Sequence, residues 1–183
     1  NSLPLIHEKS FNKRPETAVD VYNLLPEGVL CQVINNVIYM SPAPSFEHRD
    51  IITELSMQIR LFVSERILGK CVVSPVDVYL DKHNVFQPDI IYIAHKDAMA
   101  EVKNGKVYGA PELVIEVLSP GNADDDRVRK KKIYEKHGVK EFFIVAPNTK
   151  DVTSYYHNGK KFEQKPVQKA KIVSKMLKKT FKF

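Results

Sequence analysis

Apolar residues along the chain switch between helical spacing and short, strand-like runs. Thr17 to Leu25 carries Val21, Leu24 and Leu25 at helical spacing. Thr17 suits an N-cap, and Pro26-Glu27-Gly28 a stop. The runs VLCQVI and VIYM then flank Asn35-Asn36. Asparagine tolerates positive φ, so this pattern predicts a hairpin. Pro42 and Pro44 break the chain. Beyond them, Ser45 caps a predicted helix from about Phe46 to Leu68, closed by Gly69. Its apolar stripe is Ile51, Ile52, Leu55, Ile59, Phe62 and Val63.

Residues 71–80 read as a strand. Pro75 lies inside it, which predicts an edge strand or a bulge. Asp81 to Asn84 turns the chain back into the run PDIIYIA, and residues 95–108 form a polar excursion. PELVIEVLS, from Pro111 to Ser119, is a second apolar strand. Pro120-Gly121 ends it, and Asn122 or Asp124 caps a helix running to about His137. Asp124, Asp125 and Asp126 in its first turn favour the helix dipole. Gly138 is its C-cap, and EFFIVA is the next core strand. Asn158-Gly159 joins VTSYYH to KKFEQ in another hairpin. Strand, helix and strand between 111 and 146 predict a right-handed parallel crossover. The remainder reads as antiparallel. The pattern is an α/β (α+β mixed) fold: a mixed central sheet flanked by helices, with an N-terminal helix and hairpin. Residues 1–15 read as an arm, and 16–183 as a single domain with a basic C-terminal tail.

Composition narrows the class. The 183 residues are enough for a real core, and 43% hydrophobic with 27% charged residues is ordinary for a globular chain. No apolar stretch approaches the roughly 20 residues of a membrane-spanning helix. NSLPLIHEKSFNKRP lacks the continuous apolar core of a secretory signal. Cys31 and Cys71 both lie in apolar runs and form no CxxC pattern, which predicts reduced thiols and a cytoplasmic protein. The net charge of +6 suits a polyanionic partner without establishing one. After Gln164 every charged side chain is lysine.

The candidate chemistry lies in the two central apolar runs. Asp89 heads the first, and Glu116 stands between Ile115 and Val117 in the second. A buried ionised carboxylate costs several kcal/mol unless a cation, a raised pKa or a metal compensates it. Two such groups on core strands can hold Mg²⁺ or Mn²⁺, which prefer carboxylate oxygens and retained water. The alternative is structural: Asp89 capping a turn, and Glu116 paired with a helix lysine. Lys130, four residues before Tyr134, shares a helix face with it and can bring its ammonium to the carboxylates. The competing reading is a solvated run from Arg127 to Lys132. Asp77 and Glu112 are further candidate ligands, each with a surface reading beside it. His48 opens the long helix and either reaches the cleft or caps the helix. GxSxG, HExxH, P-loop and GxGxxG patterns are absent.

Taken in order, these residues resemble the Uma-type (Uma-two) family of predicted endonucleases, of the PD-(D/E)xK restriction-endonuclease-like superfamily. The similar segments are LLPEG at 24–28, SPAPSFEH at 41–48, SPVDVYLD at 74–81, QPDIIYI at 87–93 and GAPELVIEVLSP at 109–120. They continue with Asp126, Lys130 and Tyr134, then GVKEFFIVAP at 138–147. The resemblance implies a restriction-endonuclease-like sheet core and a metal-dependent phosphodiester-cleaving site. Asp89 and Glu116 would be its metal ligands. The superfamily's lysine, two residues after the acid, is Leu118 here, and Lys130 would substitute. His48 matches a polar residue recurring before the long helix. Gln32 and Val37 stand where the family's first hairpin carries acids, and Asn35-Asn36 replaces its Asp-Gly turn.

Three functions follow as expectations. The first is a Mg²⁺- or Mn²⁺-dependent DNA endonuclease in which Asp89 and Glu116 hold the ion. Lys130 acts on the water, and Ser119 and His48 orient the phosphate. The second is a nucleic-acid-binding module with a decayed site, suggested by Gln32 and the basic tail. The third is a structural protein that keeps a buried ion pair. A nuclease of this size is expected to be a homodimer, because two strands must be reached.

Overall fold

The computed structural model describes residues 14–119 and 124–183, with the side chains of 124–127 excepted. Residues 1–13 of the expected arm, the Asn122 cap and the Asp124, Asp125 and Asp126 side chains lie outside the described residues.

Helix α1 (Ala18–Tyr22) begins with a capping box between Thr17 and Asp20. At 5 residues it is too short for the expected stripe. Val21 and Leu24 are exposed, and Val19 and Tyr22 are buried instead. Strands β1 (Cys31–Ile34) and β2 (Val37–Met40) make the expected hairpin, with Asn35 and Asn36 at φ 48 and 62. Helix α2 (Phe46–Glu65) starts at Ser45, whose hydroxyl accepts the His48 amide. Its buried side chains include Ile51, Ile52, Leu55, Ile59 and Val63, and Phe62 is partly buried. The turn after it takes its positive φ at Ile67, and not at Gly69. Gly69 opens β3 (Gly69–Val73), where a Cβ would come within 2.2 Å of the Ile93 carbonyl oxygen. Close approach of two strands requires that glycine.

The expected 71–80 strand is two strands in different sheets, because Pro75 has no amide for a ladder. The second is β4 (Val78–Asp81), followed by β5 (Asn84–Phe86). The chain crosses back through Gln87-Pro88-Asp89 into β6 (Ile90–Ala94). At the two crossings the Ser74 amide donates to the Asp89 carbonyl at 3.0 Å. The expected polar excursion contains a hairpin, β7 (Glu101–Lys103) and β8 (Lys106–Tyr108), turning at Asn104-Gly105. Strands of 3 residues carry too little alternation to be read. Next come β9 (Leu113–Val117), α3 (Asp124–Lys136) and β10 (Glu141–Ala146). Strands β9 and β10 pair in parallel, as the strand-helix-strand pattern predicts. β11 (Asp151–His157) and β12 (Phe162–Lys169) form the Asn158-Gly159 hairpin.

The expected basic tail is a further hairpin, β13 (Lys171–Ser174) and β14 (Lys179–Lys182). Its Ile172, Leu177 and Phe181 are buried in the core, while Lys178, Lys179 and Lys182 are exposed. Glu141 holds its turn, accepting the Ser174 hydroxyl at 2.6 Å and the Lys175 and Met176 amides. Burial raises the Glu141 pKa, against the pull of those donors.

The strands form a mixed α/β arrangement. One sheet has the order β12-β11-β10-β9-β6-β3, the other β2-β1-β5-β4-β8-β7. Helix α2 and the β13-β14 hairpin cover one face of the first sheet. Helix α3 and the second sheet cover the other. No described helix is long and apolar enough to cross a membrane.

Candidate functional site

The site forms where the two sheets part. In the antiparallel ladder of β6 and β9, Ile90 faces Ile115 and Ile91 faces Val114. One step further along that register, Asp89 comes opposite Glu116. Alternation then directs both side chains toward α3, on the face shared by Ile91 and Val114. Asp89 stays off the ladder, and its Oδ2 accepts the Val117 amide at 2.7 Å. His48, in the first turn of α2, places Nε2 3.3 Å from the same oxygen. Helix α2 therefore contributes to the site by its N-terminus only.

Helix α3 supplies the other wall. Lys130 Nζ lies 3.1 Å from Glu116 Oε1, and the Tyr134 hydroxyl donates to that oxygen at 2.9 Å. Lys130 and Tyr134 are both buried among the residues packed against β9 and β10. Burial raises the Glu116 pKa; Lys130 and Tyr134 oppose the rise, and the Asp89 charge adds to it. Asp89 and Glu116 thus share one field, with the Lys130 ammonium set against them.

The residues converge on a cleft of about 80 Å³, room for an ion with part of its water shell. His48, Asp89, Glu116, Ser119 and Lys130 all line it, joined by Gln32, Arg49, Ser74 and Gln87. Arg49 is exposed at its mouth, suited to an anion too large to enter. Among the described residues there is no group of three or more His, Cys, Asp or Glu that could hold a metal. The donor set still fits a hard divalent ion. It offers two carboxylates that repel each other, and Mg²⁺ sites are commonly built from one or two carboxylates plus water and phosphate. In that role Asp89 and Glu116 would hold the ion.

Two further ligand candidates lie elsewhere. Asp77 accepts the Tyr22 hydroxyl at 2.6 Å and the Gln87 amide at 3.1 Å, with Lys106 Nζ at 3.5 Å. It is neither a surface residue nor a member of the cleft. Glu112 is fully buried and accepts the amides of Ala94 and Met99, each at 2.9 Å. Its carboxylate organises a loop, so the solvated reading also gives way. Gln87 and Arg49 carry no sequence pattern that singles them out. Tyr134 was visible as the i+4 neighbour of Lys130 and as part of the family resemblance, without a role of its own.

No curated protein matches the chain. A solved structure that is similar is the "putative nuclease belonging to DUF820" from Anabaena variabilis. It superposes with a TM-score of 0.73 at 21% identity, covering 89% of this chain and 91% of that one. At that identity the likeness shows the fold. The family model Uma2, described as "Putative restriction endonuclease", matches residues 19–180, and the chain belongs to that family.

Proposed function

We propose that the protein is a Mg²⁺- or Mn²⁺-dependent endonuclease that hydrolyses phosphodiester bonds in DNA. The observation that carries this reading is the placing of Asp89, just before β6, and Glu116, within the neighbouring β9, at one cleft, with the Lys130 ammonium at 3.1 Å from Glu116. Structural pairing alone would need one carboxylate for one lysine. A second carboxylate, adding to the unfavourable charge on the first, calls for a further cation.

Each residue then has a task. Asp89 and Glu116 hold the ion, which would supply Lewis acidity and offset charge on the phosphoryl group. The Val117 amide and His48 fix the rotamer of Asp89. Lys130 and Tyr134 occupy Glu116 Oε1, which leaves Oε2 for the cleft. Lys130 keeps a positive charge beside the attacking water, and Arg49 and Ser119 steady the phosphate. The lysines on the surface attract the DNA backbone without reading sequence. With Cys31 and Cys71 free and buried, the protein suits a reducing cytoplasm. A second copy would bring the second site that a double-strand cut requires.

The test is incubation of the purified chain with supercoiled plasmid in Mg²⁺, in Mn²⁺ and in chelator. Nicked or linear product that needs the ion, and is lost in Asp89→Asn and Glu116→Gln, supports the reading. Product unaffected by either substitution would assign the cleavage to a contaminant and remove the proposal. Salt-dependent DNA binding without any product would favour the second reading, a nucleic-acid-binding module with a decayed site.

A further inference from the structure

Gln32 sits in the cleft wall as a buried amide with unused capacity. Alternation along β1 turns Cys31 and Val33 toward α1, and Gln32 with Ile34 to the opposite side. Gln32 is 8% exposed and lines the same cleft as Asp89, Glu116 and Lys130. Its Oε1 is buried and accepts no hydrogen bond among the described residues. Such an orphan costs about 1–3 kcal/mol, so its persistence asks for a partner.

The position is held firmly. Gln32 pairs with Tyr39 across the β1-β2 hairpin. The Tyr39 hydroxyl accepts from Arg129 at 3.1 Å, and the Arg129 guanidinium lies 5.3 Å from the centre of the Tyr39 ring. Arg129 neighbours Lys130 on α3. The hairpin is therefore clamped to the helix that carries the site lysine, and Gln32 is fixed against the cleft.

We infer that Gln32 supplies a third protein oxygen to the divalent ion, a neutral one beside the two carboxylates. This rests on the metal reading above. Amide oxygens are ordinary ligands for hard cations. A neutral donor also suits this site electrostatically. Asp89 already adds to the cost of charge on Glu116, and a third carboxylate would add to it again. Gln32 thus sets the affinity for the ion while sparing the ion-free protein further repulsion.

The experiment is a thermal melt of the full chain, without DNA, across a MnCl₂ titration and a MgCl₂ titration. Wild type, Gln32→Met and Gln32→Glu are compared. Wild type should gain Tm saturably with either ion. Gln32→Met keeps the volume and removes the orphan oxygen. It should melt no lower than wild type without ion, and need roughly 10- to 100-fold more ion for the same gain. Gln32→Glu should melt lower without ion and reach its gain at lower ion concentration. A Gln32→Met titration that overlays wild type overturns the inference and leaves the nuclease reading standing. If Gln32→Met does not fold, Gln32→Glu decides: an unchanged titration midpoint overturns the inference too. A wild type with no gain in either ion defeats the metal reading itself, and the inference with it.

Discussion

Lys130 and Glu116 meet at 3.1 Å with only 10% and 13% of their side chains exposed. The contact is a buried ion pair inside the candidate site, not a surface one. Removing one partner of such a pair leaves a buried charge unmatched, at a cost of about 3–5 kcal/mol. Lys130→Met should therefore lower the stability of the ion-free protein by that order. The same change removes a cation that opposes metal binding, so the Tm gain with Mn²⁺ should grow. Cleavage should be lost. Melting curves with and without ion, beside a plasmid assay, check all three. An ion-free protein as stable as wild type would show that the pair contributes nothing to the fold.

Asp89 is predicted to behave differently. Its Oδ2 takes a backbone amide and a histidine nitrogen. Asp89→Asn keeps an oxygen for the Val117 amide and relieves repulsion on Glu116. The ion-free variant should be as stable as wild type or more so, with its metal-dependent gain in Tm abolished. Glu116→Gln should abolish the gain as well. A gain that survives both substitutions would mean that the ion binds elsewhere.

The site was legible in the sequence where chemistry broke a pattern. Glu116 interrupts an apolar run, Asp89 heads another, and Lys130 stands one helical turn before Tyr134. Ser45 and the stripe from Ile51 to Val63 likewise announced α2. What stayed hidden depends on long-range pairing. Pro75 was visible as a defect in a strand, but not as the point where the chain leaves one sheet for another. Glu112 looked like a solvated strand end because nothing local shows that Ala94 and Met99 will bring their amides to it. Gln32 was visible only as a departure from the family's acid, since its place in the cleft is set by how β1 pairs with β5.

Asp81 gives a pH dependence away from the site. It accepts the His83 amide and the Asn84 side chain, each at 2.8 Å, and meets His137 Nε2 at 2.9 Å. Burial works against the charged form, but these partners outweigh it and leave the pKa below the usual carboxylate range. A lowered native pKa stabilises the fold at pH values above the unfolded value, about 4, and that contribution is lost as pH falls through the native one. Asp81→Ala should cost about 1–3 kcal/mol at pH 7. The gap from wild type should close in acid, read by urea denaturation at several pH values. A gap of constant size would assign the loss to packing.

The C-terminal hairpin offers the last test, on how DNA is held. Deleting 178–183 is a poor experiment, because it removes Phe181, which is 1% exposed in the core and packs on Phe62. Charge can be removed without that damage. Lys178, Lys179 and Lys182 are exposed. Replacing all three by glutamine should leave stability within about 0.5 kcal/mol of wild type, as for ordinary surface changes. If these lysines meet phosphates, binding should weaken alike for every DNA sequence, since backbone contacts carry no base information. The slope of log affinity against log salt should become shallower by about one unit for each phosphate that is no longer neutralised. Fluorescence anisotropy with two unrelated duplexes at several salt concentrations measures both effects. An unchanged slope would leave the hairpin a packing element that closes the core over α2, with its lysines serving solubility.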